Sequence, residues 1–141
     1  MVALTLRRRA RSSRGAELIE LALVLPLLLM LVAGIVDFAF MFQAFEVITN
    51  AAREGARIRV LPGYTTADAQ ARVASYVSAA GLTTVTPTTT VTAVTLANGG
   101  GGAPTSTAYQ VDVTYVYSFR LLSPLLSNVT LRARSVKRSE L

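Results

Sequence analysis

The 141-residue chain contains no cysteine and no histidine. Without cysteine it has no disulfide framework, no thiolate metal site and no lipoprotein modification. Without histidine it lacks the commonest general base of enzymes and the commonest metal ligand of proteins. These absences exclude several classes of function, and the length allows one small domain and no more.

Acidic residues are few, and they are scattered along the chain. There are eight, without the spacing of metal ligands, and those of the central region are Asp37, Glu46, Glu54, Asp68 and Asp112. The serines have no histidine to activate them, and the glycine run at 99–102 lacks the lysine and the strand–helix context of a phosphate-binding loop. We therefore expect no enzyme activity, no cofactor and no metal ion.

Positive charge is concentrated at the N-terminus. The formal net charge is +6, yet the segment from Ala16 onward has nine basic and eight acidic residues, a net of +1. The other five basic residues are Arg7, Arg8, Arg9, Arg11 and Arg14. Because the excess lies in this tail, we expect no nucleic-acid partner for the folded part.

A long apolar run follows the basic tail. No charged residue occurs from Leu21 to Val36, and apolar residues predominate past Asp37 as far as Phe45. This exceeds the apolar core of about 7–15 residues in a secretory signal peptide. It suits the roughly 20 residues that a helix needs to cross about 30 Å of hydrocarbon. We predict a single-pass membrane helix in contact with lipid, kinked at Pro26, where a membrane helix tolerates proline.

The charges flanking this helix predict its orientation. Basic residues precede it, and none occurs again until Arg53, which favours a cytoplasmic N-terminus and a C-terminal region outside. At about 1.5 Å per residue, the helix rises about 28 Å from Leu18 to Asp37. We therefore predict that Asp37 is an acid at the far membrane interface, away from the costly midplane.

The remaining chain predicts a small α+β domain. Residues 46–61 continue the helix as an amphipathic extension, with apolar residues recurring at helical spacing. A short helix is predicted at 65–81, with Thr65 or Thr66 as N-cap and Gly81 at the C-cap. Alternation at 109–119 and 129–138, and a Thr- and Val-rich stretch edged by Pro87, predict about three antiparallel strands. The segment 98–104 is predicted to be a flexible turn.

Three interpretations of the N-terminus remain open. An uncleaved single-pass anchor that carries a binding or sensor domain leaves Glu20 unexplained. A general secretory signal would need cleavage after Gly34, in the fair match Val32-Ala33-Gly34 within an overlong segment. A prepilin would be cut between Gly15 and Ala16, which makes Glu20 the fifth residue of the mature chain. In a bundle of helices its partner can be the N-terminal amine of a neighbouring subunit, which sets their axial register.

The chain resembles the TadE-like family of pseudopilins, minor components of the tight-adherence (Tad, or Flp) pilus related to type IV pili. The similarity lies in Arg14-Gly15 followed by Glu20, in ALVLPLLL (22–29), in GIVDF (34–38) and in TNAAREGAR (49–57). It implies cleavage by a prepilin peptidase and assembly by a secretion ATPase and an inner-membrane platform. Leu21 stands where major pilins of this system often have tyrosine, and the C-terminal domain is large for them, so a minor subunit is implied.

Together these observations predict the precursor of a minor pilin with a type IV pilin-like architecture. It would reside in the inner membrane, enter an extracellular pilus after processing, and contribute to adhesion and biofilm formation with other pilin subunits. A related assembly factor that is cleaved but stays in the membrane is the nearest alternative. The predicted segments are a basic leader (1–15), a long helix (16–61, membrane part about 18–45) and an extracytoplasmic domain (62–141).

Overall fold

The computed structural model describes residues 13–96 and 106–139. Most of the predicted leader (1–15) and the predicted turn at 98–104 lie outside the described residues, apart from 13–15. The described elements are α1 (Ser13–Arg59), α2 (Thr66–Ala79), β1 (Thr88–Leu96), β2 (Ser106–Tyr117) and β3 (Val129–Arg138). The predicted α+β fold, with one long helix, one short helix and three antiparallel strands, is confirmed.

The sheet is an antiparallel meander in the order β1-β2-β3. In the central strand, Val113 pairs with Thr89 on one side and with Ala133 on the other. Every second side chain of β2 is buried from Val111 to Tyr117, as the alternating pattern predicted. β1 begins directly after Pro87, which cannot donate a backbone hydrogen bond to a sheet.

Helix α2 begins with a capping box. The Thr65 hydroxyl oxygen accepts a hydrogen bond from the Asp68 N–H at 3.3 Å, and the Asp68 carboxylate accepts one from the Thr65 N–H at 2.7 Å. Two unpaired donors of the first turn are thereby satisfied. The helix ends at Ala79 with Ala80 as its C-cap, and Gly81 then turns the chain with a φ of +81°, where a side chain would be strained. Thr65 is thus the N-cap of the two threonines that the sequence allowed.

The core lies between the second half of α1, helix α2 and one face of the sheet. α1 contributes mostly small side chains, namely those of Ala44, Ile48, Ala51, Ala52 and Ala56, all of which are fully buried. Gly55 lies close to α2, since a Cβ atom at this position would lie 2.6 Å from Cγ2 of Val73. A glycine is therefore needed at this position for α2 to pack as it does.

The first half of α1 has no such cover. Residues 15–32 are exposed around the whole circumference of the helix. Among the described residues, α1 is the one helix long and apolar enough to cross a membrane. A helix that is apolar on all sides needs an apolar environment, so this segment indicates a membrane-anchored protein. α1 therefore has two parts. Its exposed apolar first part, residues 15–32, is called the bare half below, and its second part contributes to the domain core.

Candidate functional site

The predicted cleavage and register residues lie on the first turns of α1. Gly15, Ala16 and Glu20 are all exposed, and the helix runs through them without a break. Within the described residues, no hydrogen bond or ion pair reaches the Glu20 carboxylate. The predicted binding of Glu20 to a neighbouring subunit and the predicted cleavage of the Gly15–Ala16 bond both require other molecules. Both stay predictions.

Pro26 lies inside α1. Proline has no backbone N–H, so the carbonyl of Ala22 has no helical donor four residues later. Such a carbonyl must find another partner when the helix is in lipid, where no water can bond it. The kink predicted at Pro26 stays a prediction, and α1 continues as one helix across this residue.

Asp37 is where the bare half of α1 meets the domain. Its side chain is fully buried, and its carboxylate accepts three backbone hydrogen bonds from the loop that follows β2. Oδ1 accepts from the N–H of Arg120 at 3.0 Å, and Oδ2 accepts from the N–H groups of Leu121 at 3.0 Å and Leu122 at 2.8 Å. A buried carboxylate is tolerated when such bonds replace its lost water. Asp37 therefore pins the loop to the helix.

Aromatic side chains surround this junction. The Tyr117 hydroxyl donates to the backbone carbonyl oxygen of Asp37 at 3.3 Å, and its ring meets that of Phe119 edge to face at 5.6 Å. Burial raises the pKa of Tyr117, and the nearby charge of Asp37 raises that pKa further, so the phenol remains a donor. On the outer side, the Arg120 guanidinium lies 4.7 Å from the centre of the Phe40 ring.

The sequence placed Asp37 at the membrane interface but did not reveal these contacts. The predicted amphipathic part of α1 began at residue 46, whereas buried or half-buried side chains already occur at Asp37, Met41 and Ala44 and continue at Ile48. This spacing of four, three and four residues is a helical stripe that the sequence does contain. What the sequence could not show is the partner loop, which lies more than 80 residues away along the chain.

A second polar cluster lies on the exposed side of α1 near its end. The Glu54 carboxylate lies 3.1 Å from Nη2 of Arg72 and 3.8 Å from Nη1 of Arg57. The contact with Arg57 is an i,i+3 pair within α1, and the contact with Arg72 links α1 to α2. Because the arginines are exposed, such pairs contribute about 0–1 kcal/mol each. We therefore interpret the cluster as a surface ion-pair network that stabilises the contact between α1 and α2.

The predicted site residues are thus spread along one helix. Gly15, Ala16, Glu20 and Pro26 lie in the bare half, and Asp37 alone among them contacts the domain. Within residues 13–96 and 106–139, no three acidic side chains gather in a way that could hold a metal ion. The features that the structure offers for function are therefore an apolar helical surface and a domain fixed to its end.

Comparison with known proteins gives a family match, and it lies within α1. Residues 15–57 match the family model described as TadE-like protein. The matched segment begins at Gly15 and ends close to the end of α1, and it includes Glu20, Pro26 and Asp37. No curated protein and no solved structure matches the chain. The resemblance seen in the sequence is thereby confirmed over this segment.

Proposed function

We propose that this chain, whose long N-terminal helix is TadE-like, is the precursor of a minor pilin of the Tad pilus. The family match indicates a protein associated with that pilus, and the apolar helix indicates a membrane anchor. The finer proposal is that a prepilin peptidase cuts between Gly15 and Ala16. The shortened chain then joins other pilin subunits through the exposed half of α1.

The observation that carries this proposal is the bare apolar half of α1, directly after Gly15. A secretory signal peptide is discarded with its apolar core, but here the apolar segment is continuous with the helix on which the domain is built. Removal of this segment up to Gly34 would leave Asp37 almost at the new end of the helix. A cut after Gly15 keeps both the anchor and the junction, which supports the prepilin interpretation.

The same helix would act in two environments. In the membrane its exposed leucines contact lipid chains, and in a pilus they contact the equivalent helices of other subunits. Lipid tails are about as apolar as leucine, so burial of apolar surface does not favour the pilus over the membrane. Transfer of the helix from lipid into the pilus therefore depends on helix–helix packing and on polar pairs between subunits. Glu20 would form such a pair with the amine that cleavage creates on a neighbouring subunit. The chain itself would catalyse no reaction and would be the substrate of the peptidase.

Assembly would then involve an inner-membrane platform and a secretion ATPase, with adhesion and biofilm formation as the outcome at the cell surface. The test is co-expression of the full chain with a prepilin peptidase from a Tad system. We expect a mass loss equal to residues 1–15, and Gly15→Ala should slow or abolish it. An unchanged mass with an active peptidase, shown to cut a control pilin in the same cells, would support the uncleaved single-pass anchor instead.

A further inference from the structure

The loop that Asp37 holds carries exposed leucines. Leu121, Leu125 and Leu126 are 54%, 65% and 45% exposed. The loop is well defined rather than open chain, since the N–H groups of Leu125 and Leu126 both donate to the carbonyl oxygen of Leu122, at 2.9 and 2.8 Å. A folded loop that presents three leucines outward has an apolar surface that needs a partner.

The position of this loop along α1 identifies the partner. Leu122 lies against Gly34, with 3.8 Å between its Cδ1 and the position of a Cβ on that glycine, and its N–H is bonded to Asp37. A hydrocarbon core about 30 Å thick that begins near Leu18 ends near Phe38, at about 1.5 Å per residue. The loop is therefore held at the level where the bilayer hydrocarbon meets its headgroups.

Neighbouring side chains suit the same boundary. Phe38 and Phe42 on α1 are exposed at this level, and aromatic residues are enriched at membrane interfaces. Arg120 begins the loop, is exposed, and lies over the Phe40 ring. An arginine at this depth can place its charge among phosphate groups while its stem covers apolar surface.

We propose that the loop 120–127 is a second membrane contact, with its leucines inserted into the lipid next to α1 and Arg120 at the headgroup phosphates. The domain is then fixed close to the membrane surface and does not stand away from it on a free stalk. The surface is continuous with the part of α1 that itself requires lipid, which is why lipid is the occupant and not a separate protein. The contact depends on the membrane span of α1 but not on cleavage at Gly15.

The chain has no tryptophan, so one substitution creates a unique fluorescent reporter. The full chain carrying Leu125→Trp is placed as one copy per lipid nanodisc whose scaffold protein contains no tryptophan, with Leu126→Trp as a second reporter. Tyr64→Trp is the matched control, because Tyr64 is exposed beyond the far end of α1. Each variant is quenched with phospholipid brominated on its acyl chains and, separately, with acrylamide in the water. Thermal unfolding followed by circular dichroism verifies that each variant is folded.

Insertion to a depth of about 5–10 Å predicts that brominated lipid reduces the loop reporters' emission by about twofold or more. Tyr64→Trp should be quenched by acrylamide and barely by the lipid. Acrylamide quenching of both folded loop reporters equal to that of Tyr64→Trp would overturn the proposal. Protection that arises only when a second pilin copy is added would also overturn it, in favour of a subunit contact. Repeating the experiment with the uncleaved Gly15→Ala precursor should give the same result, which separates this proposal from that of processing.

Discussion

The carboxylate of Asp37 accepts a hydrogen bond of 2.8 Å from the backbone N–H of Leu122, 85 residues further along the chain. Two neighbouring N–H groups bond the same carboxylate. A single acid of the helix thus satisfies three consecutive donors of a loop that has no strand partner at that point. This contact fixes the loop that follows β2 to α1. Its removal should lower the stability of the domain more than any other single change at the junction.

Replacement of Asp37 should destabilise the domain in a graded way. Asp37→Asn keeps one acceptor oxygen but puts an NH₂ donor against at least one loop N–H, and Asp37→Ala leaves all three N–H groups unpaired. We expect the melting temperature to fall from the wild type to Asn and further to Ala. Thermal unfolding of the full chain in detergent micelles measures this. Glu46→Gln, an exposed acid of the same helix, is the control and should melt like the wild type.

Gly55→Ala should destabilise the contact between α1 and α2. Alanine favours a helix over glycine by about 1 kcal/mol, but the new Cβ would lie 2.6 Å from Cγ2 of Val73. Overpacking of this kind costs about 1–3 kcal/mol, so the net change in the free energy of unfolding should be a loss.

The pair Gly55→Ala and Val73→Ala tests the origin of this effect. If the clash is the cause, the double variant should be more stable than the sum of the two single effects predicts, by about 0.5–3 kcal/mol. Strict additivity in urea unfolding experiments would show that these residues are not in close contact.

Acid should weaken the domain through two aspartates. Hydrogen bonds from the Thr65 N–H and hydroxyl hold the pKa of Asp68 below its usual value. At Asp112 burial disfavours the charged form, but hydrogen bonds from Arg134 and Gln110 outweigh it and lower the pKa. Since both pKa values are lower when folded, the stability they give is present above the unfolded value of about 3.9. It is lost as the pH falls through the folded values.

The variant Thr65→Ala separates the contribution of Asp68 to the acid dependence from that of Asp112. Thr65→Ala should cost about 1 kcal/mol at pH 7 and should reduce the further loss between pH 5 and strongly acidic solution. Unfolding in urea over that range gives both quantities. A steeper acid dependence in Thr65→Ala than in the wild type would be inconsistent with the role assigned to the cap.

Glu20 and Glu17 provide a matched pair on the bare half of α1. Both are exposed acids, but only Glu20 is proposed to bind the amine of a neighbouring subunit. Glu20→Gln should be processed normally yet recovered with pili about tenfold less, a change that corresponds to about 1.4 kcal/mol. Glu17→Gln should be recovered at the wild-type level. Quantitative immunoblots of sheared pili compare them, and equal recovery of both variants would remove the register role.

The sequence was sufficient for the elements that have a local signal. The apolar run predicted the bare half of α1, the alternation predicted β2 and β3, and the candidate N-caps Thr65 and Thr66 predicted the start of α2. The junction was not predicted because Asp37 looks like any interfacial acid until its loop partner is known. Likewise, Gly55 is one small residue among several, and only the position of Val73 makes a side chain there impossible without rearrangement.

The central claim concerns one peptide bond, between Gly15 and Ala16. N-terminal sequencing of the wild-type protein isolated from cells that assemble Tad pili tests it most directly. The prepilin account predicts a mature chain that begins at Ala16, with Glu20 at its fifth position and α1 otherwise intact. A chain that still carries residues 1–15, or one that begins at Ile35 after removal of the apolar segment, would contradict it.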